Sequence, residues 1–165
     1  MKAIILFLLI SSSLSLFSQN ITIEETIKYI DNSLKEYYFS IGEKNDGGNR
    51  VYYFQMNGIE VRVGGSEEFE FNINDISITK TTSTTLGILR IDPSYDIVVK
   101  CTNTNCIKKG NSFSGATLIS EFYIRSTNEI LTNRLYNALQ NLKYLISLDN
   151  NEKSSDKFDD YLREE

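Results

Sequence analysis

The chain of 165 residues has no histidine, no tryptophan, a single proline and only two cysteines. Without histidine, Ser-His-Asp and Cys-His nucleophile systems, histidine-ligated zinc and imidazole acid–base catalysis are all excluded. Positive charge is also scarce: 17 basic residues stand against 22 acidic ones, a formal net charge of −5. That balance argues against binding nucleic acid, whose phosphate backbone demands clustered Lys and Arg. No glycine-rich motif that cradles phosphate is present; Gly47-Gly48 and Gly64-Gly65 read as hairpin punctuation. No serine stands in a Gly-x-Ser-x-Gly elbow or a Ser-x-x-Lys context. What remains is ordinary globular composition, 41% hydrophobic and 24% charged, enough for one domain with its own core.

Lys2 precedes the unbroken apolar run Ala3 to Ile10, and a serine-rich stretch from Ser11 to Ser18 follows. This order of charge, apolar run and small residues is that of a secretory signal peptide. A membrane span needs about 20 predominantly apolar residues, and the serines interrupt this one early. Residues 1–19 are therefore expected to be a signal peptide cut between Ser15 and Gln19, with an uncleaved anchor as the alternative. Residues 20–148 are expected to form one domain, and 149–165 an acidic, partly disordered tail. The mature protein would be secreted or periplasmic, with no stable membrane span.

In an oxidising compartment Cys101 and Cys106 are expected to pair. They bracket the turn-forming Thr102-Asn103-Thr104-Asn105. A hairpin with that loop would set them opposite each other, Cα atoms about 4.5 Å apart. The closed loop is small, so the stabilisation is about 2 kcal/mol at most. A redox pair, free thiols and a metal site are the alternatives. Cys-x-x-Cys spacing is absent, and two cysteines without histidine make a poor zinc site.

Thr22 and Glu25 have capping-box spacing, and Ile23, Ile27, Ile30, Leu34 and Tyr37 then recur at helical intervals. This predicts a helix from Ile23 to Tyr37 and a loop from Tyr38 to Asn49. From Arg50 the period becomes two. Asn57-Gly58 predicts a hairpin whose two turn residues both need positive φ. Strict alternation marks strands at Phe69 to Ile73 and Ile76 to Thr79. Thr81 to Thr85 reads as a loop, Leu86 to Ile91 and Tyr95 to Cys101 as strands joined by an Asp92-Pro93-Ser94 turn. Lys108 to Ala116 reads as a loop and Leu118 to Arg125 as the last strand. Ser126 and Glu129 predict a second capping box, opening a helix from Thr127 to Leu148 along Leu131, Leu135, Ala138, Leu142 and Leu145. Short links between strands favour antiparallel pairing. The expected fold class is α+β: an N-terminal helix, an antiparallel seven- to eight-stranded sandwich or partly open barrel, and a long C-terminal capping helix.

Three segments carry a resemblance: Leu16-Phe17-Ser18-Gln19, Ile97-Val98-Val99-Lys100-Cys101 with Cys106-Ile107, and Arg134-Leu135-Tyr136-Asn137-Ala138-Leu139-Gln140-Asn141-Leu142. With these the chain resembles small exported proteins of Bacteroidota, a likeness that implies no activity. The layout also resembles a pleckstrin-homology-like fold, which implies two sheets capped by a C-terminal helix. The extra N-terminal helix departs from that pattern. So does the first hairpin, which offers only Arg50 and Arg62 where an inositol-phosphate patch would need more, so phosphoinositide binding is not implied.

Asp92 with Asp96, and Glu67, Glu68 and Glu70, are the paired carboxylates. Nothing in their spacing places them in a cleft, and a solvated loop or strand edge is expected. Asp149-Asn150-Asn151-Glu152 with Asp156 fails the helix–loop–helix calcium pattern, because Ser154 and Asp160 stand where Gly and Glu are required. No metal or cofactor is expected. Ten Tyr and nine Phe are the compositional excess. Tyr37, Tyr38, Tyr52 and Tyr53 form the candidate interaction surface, because adjacent strand residues face opposite ways and exposed Tyr is favoured at contacts. Packing of these rings against the first helix is the competing explanation. The expected function is a non-enzymatic exported domain binding a protein or envelope component. A carboxylate hydrolase and a small-ligand carrier are the alternatives.

Overall fold

Thr22 opens the first helix as expected. Its hydroxyl accepts from the Glu25 N–H at 3.1 Å while the Glu25 carboxylate accepts from the Thr22 N–H at 3.0 Å, satisfying two otherwise orphaned donors. The helix, α1, spans Ile23–Glu36, and Tyr37 leaves helical conformation as its C-cap. The structure, a computed structural model, describes residues 21–44, 48–86, 91–111 and 114–161. The expected signal segment lies outside these residues.

Among the described residues ten strands follow α1: β1 Ser40–Gly42, β2 Asn49–Arg50, β3 Tyr53–Asn57, β4 Glu60–Gly64, β5 Glu67–Asn72, β6 Ile76–Leu86, β7 Ile91–Cys101, β8 Ile107–Asn111, β9 Ser114–Ile119 and β10 Glu121–Ser126. The helix α2, Glu129–Tyr161, closes the chain. The strands form two antiparallel five-stranded sheets, ordered β2-β1-β10-β7-β6 and β3-β4-β5-β8-β9, and among the described residues neither closes into a barrel. Among the described residues the fold is thus α+β, with one helix before the strands and one after them, and the expected strand count of seven or eight is corrected to ten.

The extra strands arise where tertiary pairing outweighs weak local signals. Lys108-Lys109-Gly110-Asn111 lacks strand propensity, yet it pairs with β5, where Glu70 lies opposite Lys108. The chain reverses into β9 and forms two strands where a loop was expected. Thr81 to Thr85 is likewise strand, paired residue by residue with β7, because β-branched threonines suit a pleated ladder however polar they are. Pro93 falls inside β7 rather than in a turn. It lies beyond the reach of β10, which begins pairing at Tyr95, so only the β6 side has a neighbour. Two stretches change sheets. β9 and β10 meet at Ser120, whose carbonyl accepts from the Cys101 N–H at 2.8 Å. β2 passes into β3 at Val51 and Tyr52, which bond Phe39 in one direction and Gly64 in the other.

The Asn57-Gly58 hairpin forms, with a correction. Asn57 pairs with Glu60, so the central residues are Gly58 and Ile59, and only Gly58 has positive φ, +60°. Glycine at the first central position is what a II′-type reversal requires.

The core lies between the sheets. Phe122 of β10 stacks on Phe69 of β5 at 4.7 Å between ring centroids, with Phe71 at 5.6 Å. Leu135, Leu139, Leu142 and Ile146 of α2 join the same core, as do Ile30 and Leu34 of α1. The helices also guard two sheet edges. Gln140 donates to the Ile78 carbonyl at 2.8 Å and Lys143 to that of Ile76, along the free side of β6. Asp31 of α1 accepts from the Phe54 N–H of β3 at 2.9 Å. Edges occupied this way cannot pair with another chain.

The second helix differs from expectation at both ends. Its first turn is capped by Asn128, whose side-chain oxygen accepts from the Leu131 N–H at 3.1 Å, so the Ser126–Glu129 box is replaced. It continues past Leu148 to Tyr161, because the polar stretch from Asp149 contains neither glycine nor proline to stop it. No helix among the described residues is long and apolar enough to cross a membrane.

Cys101 and Cys106 are paired, with Cα atoms 5.7 Å apart. The expected hairpin is not there: Cys101 ends β7 in one sheet and Cys106 precedes β8 in the other, so the bridge pins a crossover between sheets. Thr102 ties the same loop to the Asp75 carbonyl through its N–H and hydroxyl, at 2.9 and 3.0 Å. Replacing both cysteines by serine should cost about 2 kcal/mol and lower Tm by roughly 4–8 °C in calorimetry. An unchanged Tm would show that the bridge adds nothing.

Candidate functional site

The four tyrosines of the expected surface are separated by strand parity. Ser40 pairs with Arg50 and Ile41 with Asn49, and the Val51 N–H bonds to the Phe39 carbonyl. Continued by one step, this register sets Tyr38 opposite Tyr52, with Arg50 on the same face two residues before Tyr52. The three side chains meet. The Arg50 guanidinium carbon lies 4.3 Å from the Tyr38 ring centroid and 5.6 Å from that of Tyr52. Tyr38 is 78% exposed and Tyr52 56%, and Arg50 is exposed as well. Among the described residues no carboxylate pairs with Arg50; its partners are the two rings.

Gly65 makes this arrangement possible. A Cβ built there would stand 2.2 Å from the Arg50 carbonyl oxygen and 2.7 Å from Cδ2 of Tyr52. The chain entering β5 therefore runs directly against the stretch that carries Arg50 and Tyr52, and the bare backbone is what lets the Tyr52 ring lie down.

Tyr53 faces the other way. It pairs with Gly64, which pairs in turn with Glu68, and across that glycine the phenol donates to the Glu68 carboxylate. Burial, then this hydrogen bond and the adjacent negative charge, push its pKa up to about 12 from an ordinary 10.0. A pKa raised on folding stabilises the folded state fully below pH 10, and the contribution is lost as pH climbs through 10 to 12. The urea midpoint should therefore fall more steeply between pH 9 and pH 11 in the native protein than in Tyr53→Phe. Equal slopes would contradict the bond.

Tyr37 lies elsewhere again. Together with Tyr29, Leu131 and Arg134 it lines a hollow of about 260 Å³ between α1 and α2. Ile21, Thr26, Ala138 and Tyr29 line the adjoining stretch. The structure thus brings Tyr38 and Tyr52 together and places Tyr37 and Tyr53 apart from them. Arg50 is the residue that the sequence did not single out for this surface. Its signal is the equal spacing about a reversal between Gly42 and Asn49, which sets 38 against 52 and 40 against 50.

Glu67, Glu68, Glu70 and Asp96 are engaged internally, and the side chain of Asp92 lies outside the described residues. Glu70 meets Arg62 at 2.9 Å and Lys108 at 3.0 Å, a cross-strand triad on the outer face of the second sheet. The hydrogen bond from Lys108, aided by both positive charges, holds the Glu70 carboxyl below its ordinary range. Glu67 and Glu43 share Lys109, at 3.2 and 2.8 Å, and the Glu43 hydrogen bond raises the pKa of that lysine. Asp96 departs from the solvated position expected for it: it is 3% exposed. Its carboxylate accepts from the hydroxyls of Ser83 and Ser94, with Nε of Arg125 3.9 Å away. Arg125 also donates to the carbonyls of Glu43 and Lys44 and lies 5.1 Å from the Tyr123 ring centroid. This network ties β1, β6, β7 and β10 together, and every buried side-chain polar atom among the described residues has a partner. No group of three or more acidic or cysteine side chains among the described residues is placed to hold a metal ion.

Compared with protein-family models, with curated proteins and with solved structures, the chain finds no match.

Proposed function

We propose that the chain is an exported, non-enzymatic binding domain, secreted or periplasmic, that recognises a protein or envelope component through the face built by Tyr38, Arg50 and Tyr52. The observation that carries this reading is the exposure of two tyrosines set opposite each other, both within cation–π range of an exposed arginine in the adjoining row. Tyr and Arg are enriched where interfaces concentrate their energy: Tyr brings large area with few rotamers to lose, and Arg brings a planar fork of donors. The paired cysteines and the apolar run after Lys2 support export. The layout of a sandwich closed by a C-terminal helix is read as pleckstrin-homology-like, enlarged by α1 and by further strands. Arg62 on the β3–β4 hairpin is already paired with Glu70, so that hairpin offers no site for an inositol phosphate.

The two alternatives have less in their favour. A carboxylate hydrolase needs two acids in one cleft with one pKa raised. Glu60 and Glu70 share a hollow of about 300 Å³, but the Glu70 carboxyl is shifted downward. A small-ligand carrier needs an apolar void between the sheets, where the rings of Phe69, Phe71 and Phe122 are in contact.

The reading is tested by placing a photo-crosslinking amino acid at position 38 in the native host, and separately at the exposed Leu118 of β9. A discrete adduct from position 38, absent from 118 and abolished by Tyr52→Ala, is expected. Identical adducts from both positions, or none from 38, would overturn it.

A further inference from the structure

We infer that Arg50 is a receptor for a carboxylate of a partner protein, an Asp or Glu side chain whose apolar neighbour rests on the Tyr38 and Tyr52 rings. This rests on the binding role proposed above and names the chemistry recognised. A guanidinium has five N–H donors in its plane and no acceptor. Two rings lie within cation–π range of Arg50, and among the described residues no acid pairs with its N–H donors. Contact with the rings also restrains the long side chain, so little rotamer freedom remains to be lost when a ligand binds. A planar fork held in this way matches the two oxygens of a carboxylate.

The surroundings agree. Arg62 and Lys108 are matched by Glu70, and Lys109 by Glu43 and Glu67; Lys80, which also lies over a tyrosine ring, donates to Asn133. Arg50 has no such acid among the described residues. Ser40 lies opposite both Arg50 and Arg125, so the strand partner beside Arg50 is uncharged, and the arginine one strand further is held against Asp96. On a chain of net charge −5, an arginine with no acid of its own among the described residues is complementary to an acidic side chain of a partner. An anionic membrane surface fits less well. Polybasic attraction yields about 1 kcal/mol per Lys or Arg, and a single free arginine on an acidic chain falls short.

The test is selection of a phage-displayed random heptapeptide library on the secreted chain, repeated with Arg50→Gln and Arg50→Lys. Native protein should enrich peptides with an Asp or Glu beside an apolar residue. Affinity for a synthetic copy of the enriched peptide should fall at least tenfold in both variants, since lysine cannot reproduce the fork. Tyr52→Ala should weaken it as well. Peptides without an acid that survive Arg50→Gln yet fail on Tyr52→Ala would overturn the carboxylate inference and leave the binding role standing. Enrichment of nothing would overturn both. Arg50-dependent binding to phosphatidylglycerol vesicles, with no acidic peptide enriched, would assign the site to lipid phosphate and overturn the inference.

Discussion

Phe122→Ala should lower the unfolding free energy by about 3–5 kcal/mol, the largest single loss expected in this protein. Phe122 is 0% exposed, and its ring stacks on Phe69 with an interplanar angle of 26°. It is the contact between the middle strand of one sheet and the middle strand of the other. Its removal takes apolar area out of the core and leaves a cavity against the Phe69 and Phe71 rings of β5, which backbone pairing keeps from collapsing. Domains have only about 5–15 kcal/mol of stability in all. The variant should therefore unfold at a much lower urea concentration with an unchanged m-value. Phe122→Leu keeps much of the volume and should cost about 1–2 kcal/mol. If the alanine variant unfolded within 1 M urea of the native protein, the two sheets would not share this core.

Gly65→Ala should cost about 1–3 kcal/mol and should also damage binding. The added carbon would meet the Arg50 carbonyl oxygen at 2.2 Å, a backbone atom that cannot swing aside, and the Tyr52 ring at 2.7 Å. The strand carrying Arg50 has to move, and the alignment of arginine and rings moves with it. Gly110→Ala is the matched control, because nothing lies within 4 Å of a Cβ there. The control should be neutral or slightly stabilising, since alanine narrows the unfolded ensemble. Equal effects at 65 and 110, measured by denaturation and by capture of the selected peptide, would mean that the close approach at Gly65 is unimportant.

What the sequence made legible were features whose signals are local. The Thr22–Glu25 box, the helical spacing through Leu34, the reversal at Asn57-Gly58 and the cysteine pair each depend on residues a few positions apart, and each is present. Features created by distant partners were not legible. β8 contains two lysines and a glycine and becomes a strand because β5 offers Glu70 opposite Lys108. Asp96 looks like a surface turn residue until Arg125, from 29 positions later, and Ser83 enclose it. The binding face is an intermediate case. The sequence marks Tyr37, Tyr38, Tyr52 and Tyr53 only as a group of which some are exposed; the approach of Tyr38 and Tyr52 to Arg50 depends on the register of β1 with β2, and the stretch Tyr38 to Asn49 reads only as loop.

The most direct test of that face is the NMR signature of Arg50. Its side-chain protons should be shifted upfield by the ring currents of Tyr38 and Tyr52, should show NOEs to both rings, and should return toward ordinary values in Tyr38→Leu. Arginine resonances at random-coil positions, with no NOE to either ring, would contradict the arrangement on which the proposed binding surface depends.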